Sequence, residues 1–573
     1  MSSLSLPKDS LSRLALGLIL GLLLVRLVLV FASPLELYAD EAQYWRWGQT
    51  LEWGYYSKPP LIAWVIATSS SLFGDTEAGV RLFAPILHAI AALAIWALAR
   101  RMMGPSAALI AVAAYVFMPG IVLSSTVIST DGVLFPFWCI ALYLLWRLRE
   151  SDAGWPETIA LGVAIGFAFL SKYAALYFVI GIALTSLMDA PTRRALLSRQ
   201  GLVAGALGLA ILAPHLAWNA ANSFQTVGHT VDNANLGGEL FNLEHLPQFL
   251  GDQMGVFGPI SFLGLLAGLI FMRRGRDAET AAREDWLACF IVPVLVIIAF
   301  QAVLSRAHAN WAATAYPAAC LFVASIFSRA QTDRRLWWAI IVLVPLAIQL
   351  APDLTPLVKI GIGIGVAATL VAAGFVSAWR PVGLFWTGIG LQFALTVFLA
   401  VITLGPSHWV SAVGMDNGFK RTRGWQDLAQ QLVLEAERQQ ATAVLVDERE
   451  IWHGLDFYTH NRLDAPLILW RYLETPKNFA EQIPMTDEID GRVLVASYRS
   501  NRRPQIQGDF ASWEPVGEIG VDLGHRGNGC PLSRKLRLYL VSDYAQLPRT
   551  AEWFDTYRDQ HIDRPTPCPL PKD

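Results

Sequence analysis

Charge is what this sequence has least of. Of its 573 residues only 16% are Asp, Glu, Lys or Arg, against roughly 25% in soluble globular domains. Hydrophobic residues make up 54%, and the mean hydropathy is +0.42. A soluble single-domain fold is excluded, and an integral membrane protein is expected. The net charge of −2 supplies no field for nucleic acid, so none is expected as a partner. Cysteine is scarce at five. Cys139, Cys289 and Cys320 fall in apolar runs, where a thiol behaves as a small hydrophobe. Cys530 and Cys568 fall in a polar tail, where a disulfide and two free thiols are equally open. No phosphate-binding glycine loop, paired-cysteine zinc spacing or serine nucleophile elbow is present. No cleavable leader is expected either. Met1 to Ser10 is polar, the first apolar run is long enough to span, and no small-residue cleavage site follows it, which reads as a signal anchor.

What is there is a series of apolar runs. About 20 such residues cross the hydrocarbon as a helix. Runs near 14–32, 80–99, 106–124, 132–146, 157–171, 173–188, 201–218, 249–271, 286–304, 311–328, 336–351, 356–378 and 382–404 predict about 13 spans. Leu61 to Phe73 is apolar but short, and reads as a helix lying in the interface. The fold class expected is a polytopic α-helical membrane protein with a small α/β C-terminal domain. Residues 1–405 form the membrane domain, with a first external loop at 33–79, and residues 406–573 the tail.

Sidedness follows from the cations, which accumulate in cytoplasmic loops. Taken alternately, one set of loops carries Lys8 and Arg13, Arg100 and Arg101, Arg147 and Arg149, Arg193 to Arg199, Arg273 to Arg283, Arg329 to Arg335, and Arg380. The other set is cation-poor. The N-terminus is therefore expected in the cytoplasm, and the loop 33–79 and the tail outside it. Arg26, inside the first span, is expected to snorkel or pair internally.

The external loop holds the densest chemistry, in the stretch Tyr38 to Pro60, YADEAQYWRWGQTLEWGYYSKPP. Asp40 and Glu41 would point about 100° apart on a helix, so two jobs are expected of them. A helix N-terminus with acids complementing its dipole is the plain alternative. Tyr44, Trp45 and Tyr55, with Trp47, Trp53 and Tyr56, form either an interfacial belt or a platform for sugar or lipid. Arg46 lies among them. Lys58 is fixed at a turn by Pro59 and Pro60, and a fixed ammonium at a membrane surface suits a phosphate.

Further candidates lie on the same side. Asp131, in Ser129-Thr130-Asp131-Gly132, caps a helix, orients a substrate, or both. Lys172 is a candidate second phosphate contact. The polar loop 219–248, with His229 and His245, is long enough to be a lid or binding loop. Arg306, His308 and Asn310 stand at the outer mouth of two spans, and an arginine fork suits phosphate. In the tail, runs at 443–446, 492–496 and 536–541 predict strands and 426–439 predicts a helix. Lys420 to Arg423 reads as a solvated basic patch. An outward-facing transferase has no nucleotide sugar at hand, so its donor would be lipid-borne.

The acidic pair after the first span, the aromatics and the YYSKPP turn together resemble the C-type (GT-C fold) membrane glycosyltransferases. In pattern the chain is similar to the bacterial dolichyl-phosphate-mannose-protein mannosyltransferase-like proteins, which include aminoarabinose and galacturonic acid transferases acting on lipid A and lipopolysaccharide core. The resemblance covers the transmembrane half. It implies transfer of one sugar from a polyprenyl-phosphate donor to a lipid or glycan acceptor, at the outer face of a bacterial inner membrane. It matches the catalytic carboxylate to Asp40, with Glu41 beside it, the lipid-phosphate lysine to Lys58, with Tyr56 next to it, and a later acid to Asp131. Arg306 and His308 are placed by sidedness and chemistry alone. No cofactor is required, a divalent metal stays open although no ligand spacing indicates one, and a monomer is expected. The competing expectations are a protein O-mannosyltransferase, a lipid or sugar flippase, and an envelope scaffold.

Overall fold

The computed structural model describes residues 8–233, 240–272, 276–329, 381–482, 485, 491–526, 529–564 and 568. The expected spans 336–351 and 356–378, Lys359 within them, and Arg273, Arg274, Arg334, Arg335 and Arg380 lie outside these residues. The chain divides into two compact units: Met1–Phe31, Lys58–Ile62 and Arg81–Ala400 in one, Ala32–Ser57, Ala63–Val80 and Val401–Asp573 in the other. Most of the loop 33–79 therefore groups with the tail.

The first unit is helical. Among the described residues seven helices are long and apolar enough to cross a membrane, or up to nine if each of two bent pairs is one span. Three more apolar helices, Leu61–Phe73, Pro105–Val116 and Trp155–Ser171, are shorter. The expected single run 106–124 is two helices, because Pro119 disfavours helical backbone at the residue before it. The run 249–271 is likewise His245–Phe257 and Pro259–Phe271, bent by 114°. Gly258 takes a left-handed φ of +91° there and Pro259 opens the next helix. The loop 219–248 is largely helical, with Gln225–Asn233 inside it.

Small residues let these helices approach closely, as apolar helices in lipid require. A Cβ on Gly162 would stand 2.7 Å from the Ala204 carbonyl oxygen, and one on Gly166 2.7 Å from Ile211 Cβ. Trp155–Ser171 and Arg199–Ala221 therefore pack backbone to backbone. Buried charge is compensated locally. Arg26 donates to the Val116 carbonyl at 2.5 Å. Glu284, 1% exposed, accepts from Ser325 Oγ at 2.7 Å and Arg329 Nε at 2.8 Å.

The second unit is built on a five-stranded sheet. Its strands are β1 (Ala443–Val446), β2 (Leu467–Leu469), β3 (Val493–Ser497), β4 (Phe510–His525) and β5 (Pro531–Tyr544). Their order is β2-β1-β3-β5-β4. β1 pairs in parallel with β2 and β3, while β5 is antiparallel to β3 and β4. β1 and β3 are buried throughout, as parallel strands covered on both faces are. The helix Trp425–Arg438 buries Trp425, Leu428, Ala429, Leu432 and Ala436, one apolar stripe. The predicted strands fall on β1, β3 and β5. β4 has no clear signal, because Pro515, Gly517 and Gly520 interrupt its pattern; it is an edge strand with register shifts at Pro515/Gly517 and Asp522/Gly524. Cys530 and Cys568 form a disulfide, closing the alternative the sequence leaves open.

Candidate functional site

In the second unit the stretch around Asp40 forms the helix Ala39–Gly48. Glu41, 2% exposed, accepts from Tyr38 N at 3.0 Å. It ties down the chain entering the helix, as a residue at the third helical position does in a capping box. Asp40, one position earlier, keeps its side chain 45% exposed. The two acids thus differ in setting: Glu41 is a buried capping carboxylate and Asp40 an open one.

Four aromatics of this stretch, Tyr44, Trp45, Trp47 and Tyr55, are buried. Tyr44, Trp45 and Tyr55 are 8%, 0% and 3% exposed. Tyr55 stacks on Trp47 with centroids 5.0 Å apart, and its hydroxyl donates to the Thr50 carbonyl at 2.8 Å. Trp45 Nε1 donates to Asp75 Oδ1 at 2.7 Å. Rings buried to this degree present little surface to sugar or lipid, so the substrate-binding expectation for Tyr44, Trp45 and Tyr55 is corrected to core packing. Tyr56 is half-buried, its hydroxyl donating to the Pro476 carbonyl at 3.1 Å.

A second helix, Arg449–Thr459, packs against Ala39–Gly48. The Trp45 ring meets Phe457 edge-on at 4.8 Å, and Leu37 N donates to Tyr458 Oη at 2.8 Å. Charged pairs flank this seam. Arg46 Nε lies 3.7 Å from Asp456 Oδ2, and Arg449 Nη2 lies 3.7 Å from Asp40 Oδ1. Burial raises the Asp456 carboxyl to about 6, against the opposing pull of Arg46. Burial first, then Arg449 and Arg46, hold the His453 imidazole well below its ordinary value. None of Arg449, His453 and Asp456 has a local sequence signal; only the docking of two distant helices brings them to Asp40 and Arg46.

In the first unit Lys58 stands half-buried before Pro59 and Pro60, both buried. Asp131 is 7% exposed in the first turn of Thr130–Arg149. It is not the cap: Ser129 Oγ accepts from Gly132 N at 3.1 Å and fills that role. Asp131 instead accepts from Lys172 Nζ at 2.7 and 2.8 Å and from Asn310 Nδ2 at 3.0 Å. Lys172 follows directly on the helix Trp155–Ser171, and Asn310 lies in the 3-10 turn Ala309–Ala315. Three sequence candidates thus converge on one cluster. Beside Lys172, Tyr173 Oη and the buried His215 Nε2 are 2.7 Å apart, with Asn219 Nδ2 3.1 Å from the same nitrogen. His215 sits in an apolar run, which hid it in the sequence. Arg306 and His308 are exposed at their surfaces; partial desolvation of the ring first, then the Arg306 charge, lower the imidazole's proton affinity. His229 is half-buried on Gln225–Asn233. Among the described residues no group of three or more His, Cys, Asp or Glu could hold a metal ion.

Comparison with known proteins agrees with this architecture. Residues 57–218 match the family described as dolichyl-phosphate-mannose-protein mannosyltransferase. The chain is 38% identical over 307 residues to a lipid A galacturonosyltransferase (RgtD) of Rhizobium johnstonii, covering 53% of this chain and 64% of that protein. It is 27% identical over 175 residues to an undecaprenyl phosphate-alpha-4-amino-4-deoxy-L-arabinose arabinosyl transferase of Pseudomonas aeruginosa, covering 26% of this chain and 31% of that one. The matches thus span less than two thirds of either relative. In structure the chain is similar to ArnT from Cupriavidus metallidurans in the apo state, with a TM-score of 0.59 at 16% identity over 93% of this chain and 98% of that one. ArnT bound to undecaprenyl phosphate superposes with a TM-score of 0.58. The chain thus shares the fold of ArnT, and its residues 57–218 match the model of the family described as dolichyl-phosphate-mannose-protein mannosyltransferase.

Proposed function

We propose that this chain transfers a single sugar from a polyprenyl-phosphate donor to lipid A or lipopolysaccharide core on the periplasmic face of a bacterial inner membrane. The observation that carries the reading is the state of Asp40: a half-exposed carboxylate in the first turn of a helix whose other acid is used up by the cap. The names of the relatives supply the substrate class: lipid A as acceptor in one, an undecaprenyl-phosphate sugar as donor in the other.

In this reading the acceptor oxygen attacks the anomeric carbon, and the bond from that carbon to the phosphate oxygen breaks. Asp40 receives the acceptor's proton as general base. The polyprenyl phosphate leaves with the bonding electrons, and fixed cations stabilise its charge. Lys58 and Arg306 are assigned that task, and Tyr56, two residues before Lys58 in the sequence, is a further candidate for it. Lys172 is not, because Asp131 already neutralises it; the pair, with Asn310, acts as an organising strut. Glu41 is assigned the helix cap alone. Arg46 holds the seam to Asp456, while His308 and His229 remain candidates for acceptor contact. The N-terminus is cytoplasmic and the tail periplasmic, by the distribution of Lys and Arg.

Mass spectrometry of lipid A, core oligosaccharide and glycoproteins from cells with and without the chain tests this. Loss of one sugar from lipid A or core is the expected result. Unchanged lipopolysaccharide with altered glycoproteins would move the acceptor to protein, and no change in any glycan would overturn the transferase.

A further inference from the structure

The carboxylate of Asp40 sits in a first helical turn, where nothing in its own helix fixes its direction. Its ion-pair partner is Arg449, the first residue of the helix Arg449–Thr459. Its Nη1 donates to Gln43 Oε1 at 2.7 Å. Gln43 lies three residues beyond Asp40, on the same helix face. One arm of a rigid, planar fork is thereby anchored to the helix that bears Asp40, and the other arm, Nη2, stands 3.7 Å from Asp40 Oδ1. That separation is an ion pair and not a tight hydrogen bond. A contact at that distance leaves the carboxylate able to accept a proton.

The remaining charged groups near Asp40 are engaged elsewhere. Arg421 acts on it electrostatically, but its guanidinium bonds the Tyr38 hydroxyl and lies 3.5 Å from Glu450. Arg46 turns to Asp456. His453 is buried in the same seam. Resting on the reading of Asp40 as the base, we propose that Arg449 is a positioning residue for transfer: it holds the Asp40 carboxylate in line with the acceptor hydroxyl, so the α/β tail contributes to the reaction and not only to folding. The docking of the two helices does not depend on it, because Trp45 against Phe457 and Leu37 on Tyr458 already set their register.

The test uses the full-length protein, polyprenyl-phosphate-linked galacturonic acid or 4-amino-4-deoxyarabinose as donor, and lipid A as acceptor. Arg449→Gln is expected to lower kcat roughly 10- to 100-fold, the range a misplaced reacting group produces. KM for the donor, retention of undecaprenyl phosphate and melting temperature should stay as in the wild type. Arg449→Lys should recover part of the rate, since one ammonium cannot serve both Gln43 and Asp40 well. A purely structural role would lower the melting temperature and move kcat and KM together, and that result overturns the proposal. Asp40→Asn, run in parallel, separates two failures. If it turns over normally, or if the wild type uses neither donor, the proposed function falls and Arg449 with it. If it is inactive while Arg449→Gln keeps the wild-type kcat, only the positioning role falls.

Discussion

Asp40 and Asp131 are the same residue type in the same place, the first turn of a helix, and their surroundings make them different groups. Asp131 is 7% exposed, with both oxygens within 2.8 Å of the Lys172 ammonium and one also bonded by Asn310. Its charge is neutralised and it accepts three hydrogen bonds. Asp40 is 45% exposed at the side chain and meets its arginine at 3.7 Å. An acid that must take up a proton needs an open lone pair, and a buried acid that must hold a lysine needs none. Burial and partner distance therefore separate an open carboxylate, the one proposed as the base, from a structural one where sequence treats them alike.

That contrast can be broken in order of effect. Asp40→Asn should lower turnover roughly 10²- to 10⁴-fold, the usual contribution of a general base, with the melting temperature unchanged; a variant near wild-type rate would reverse the assignment. Lys58→Ala should slow turnover and weaken undecaprenyl phosphate binding by roughly tenfold or more, the loss of about 1.4 kcal/mol or more. Unaltered phosphate binding would remove Lys58 from that role. Asp131→Asn should instead destabilise the protein by about 3 kcal/mol, because it strands the Lys172 ammonium in a buried site. Asp131→Asn combined with Lys172→Met should restore much of that loss, whereas additive losses would show that the two do not act as a pair.

The smallest effect concerns the seam between Ala39–Gly48 and Arg449–Thr459. Asp456 has a folded-state value of about 6 against an ordinary 3.8. An acid raised on folding binds more protons in the folded state between those values, so stability falls as pH rises through the window and is lowest above it. Thermal unfolding should accordingly show a melting temperature that rises from pH 7 to pH 5, and Asp456→Asn should flatten the rise. An unchanged pH profile in that variant would assign the dependence to other groups.

Much of the molecule was legible in its sequence. The long apolar runs mark spanning helices because lipid leaves backbone groups no other partner. The helix Trp425–Arg438 and the strands β1, β3 and β5 follow from periodicity and β-branched runs, since burial on a face of fixed period leaves its imprint in order along the chain. Lys58 before two prolines, and the acidic pair after the first span, are local patterns as well. Where prolines and glycines interrupt a run, at Phe117 to Pro119 and at Gly258-Pro259, the sequence also holds the cause of the break, although it reads first as one span.

Tertiary structure alone decided the rest. That Glu41 caps while Asp40 stays open, and that Tyr44, Trp45 and Tyr55 are core and not platform, depends on what packs over them. Arg449 reaches Asp40 across more than 400 positions of chain, and Asp131 joins Lys172 and Asn310 across 41 and 179 positions. Hydrophobic periodicity is a property of neighbours along a chain, and sequence records it. The distance between two charges from remote segments is set by how whole helices dock, and no local pattern carries it.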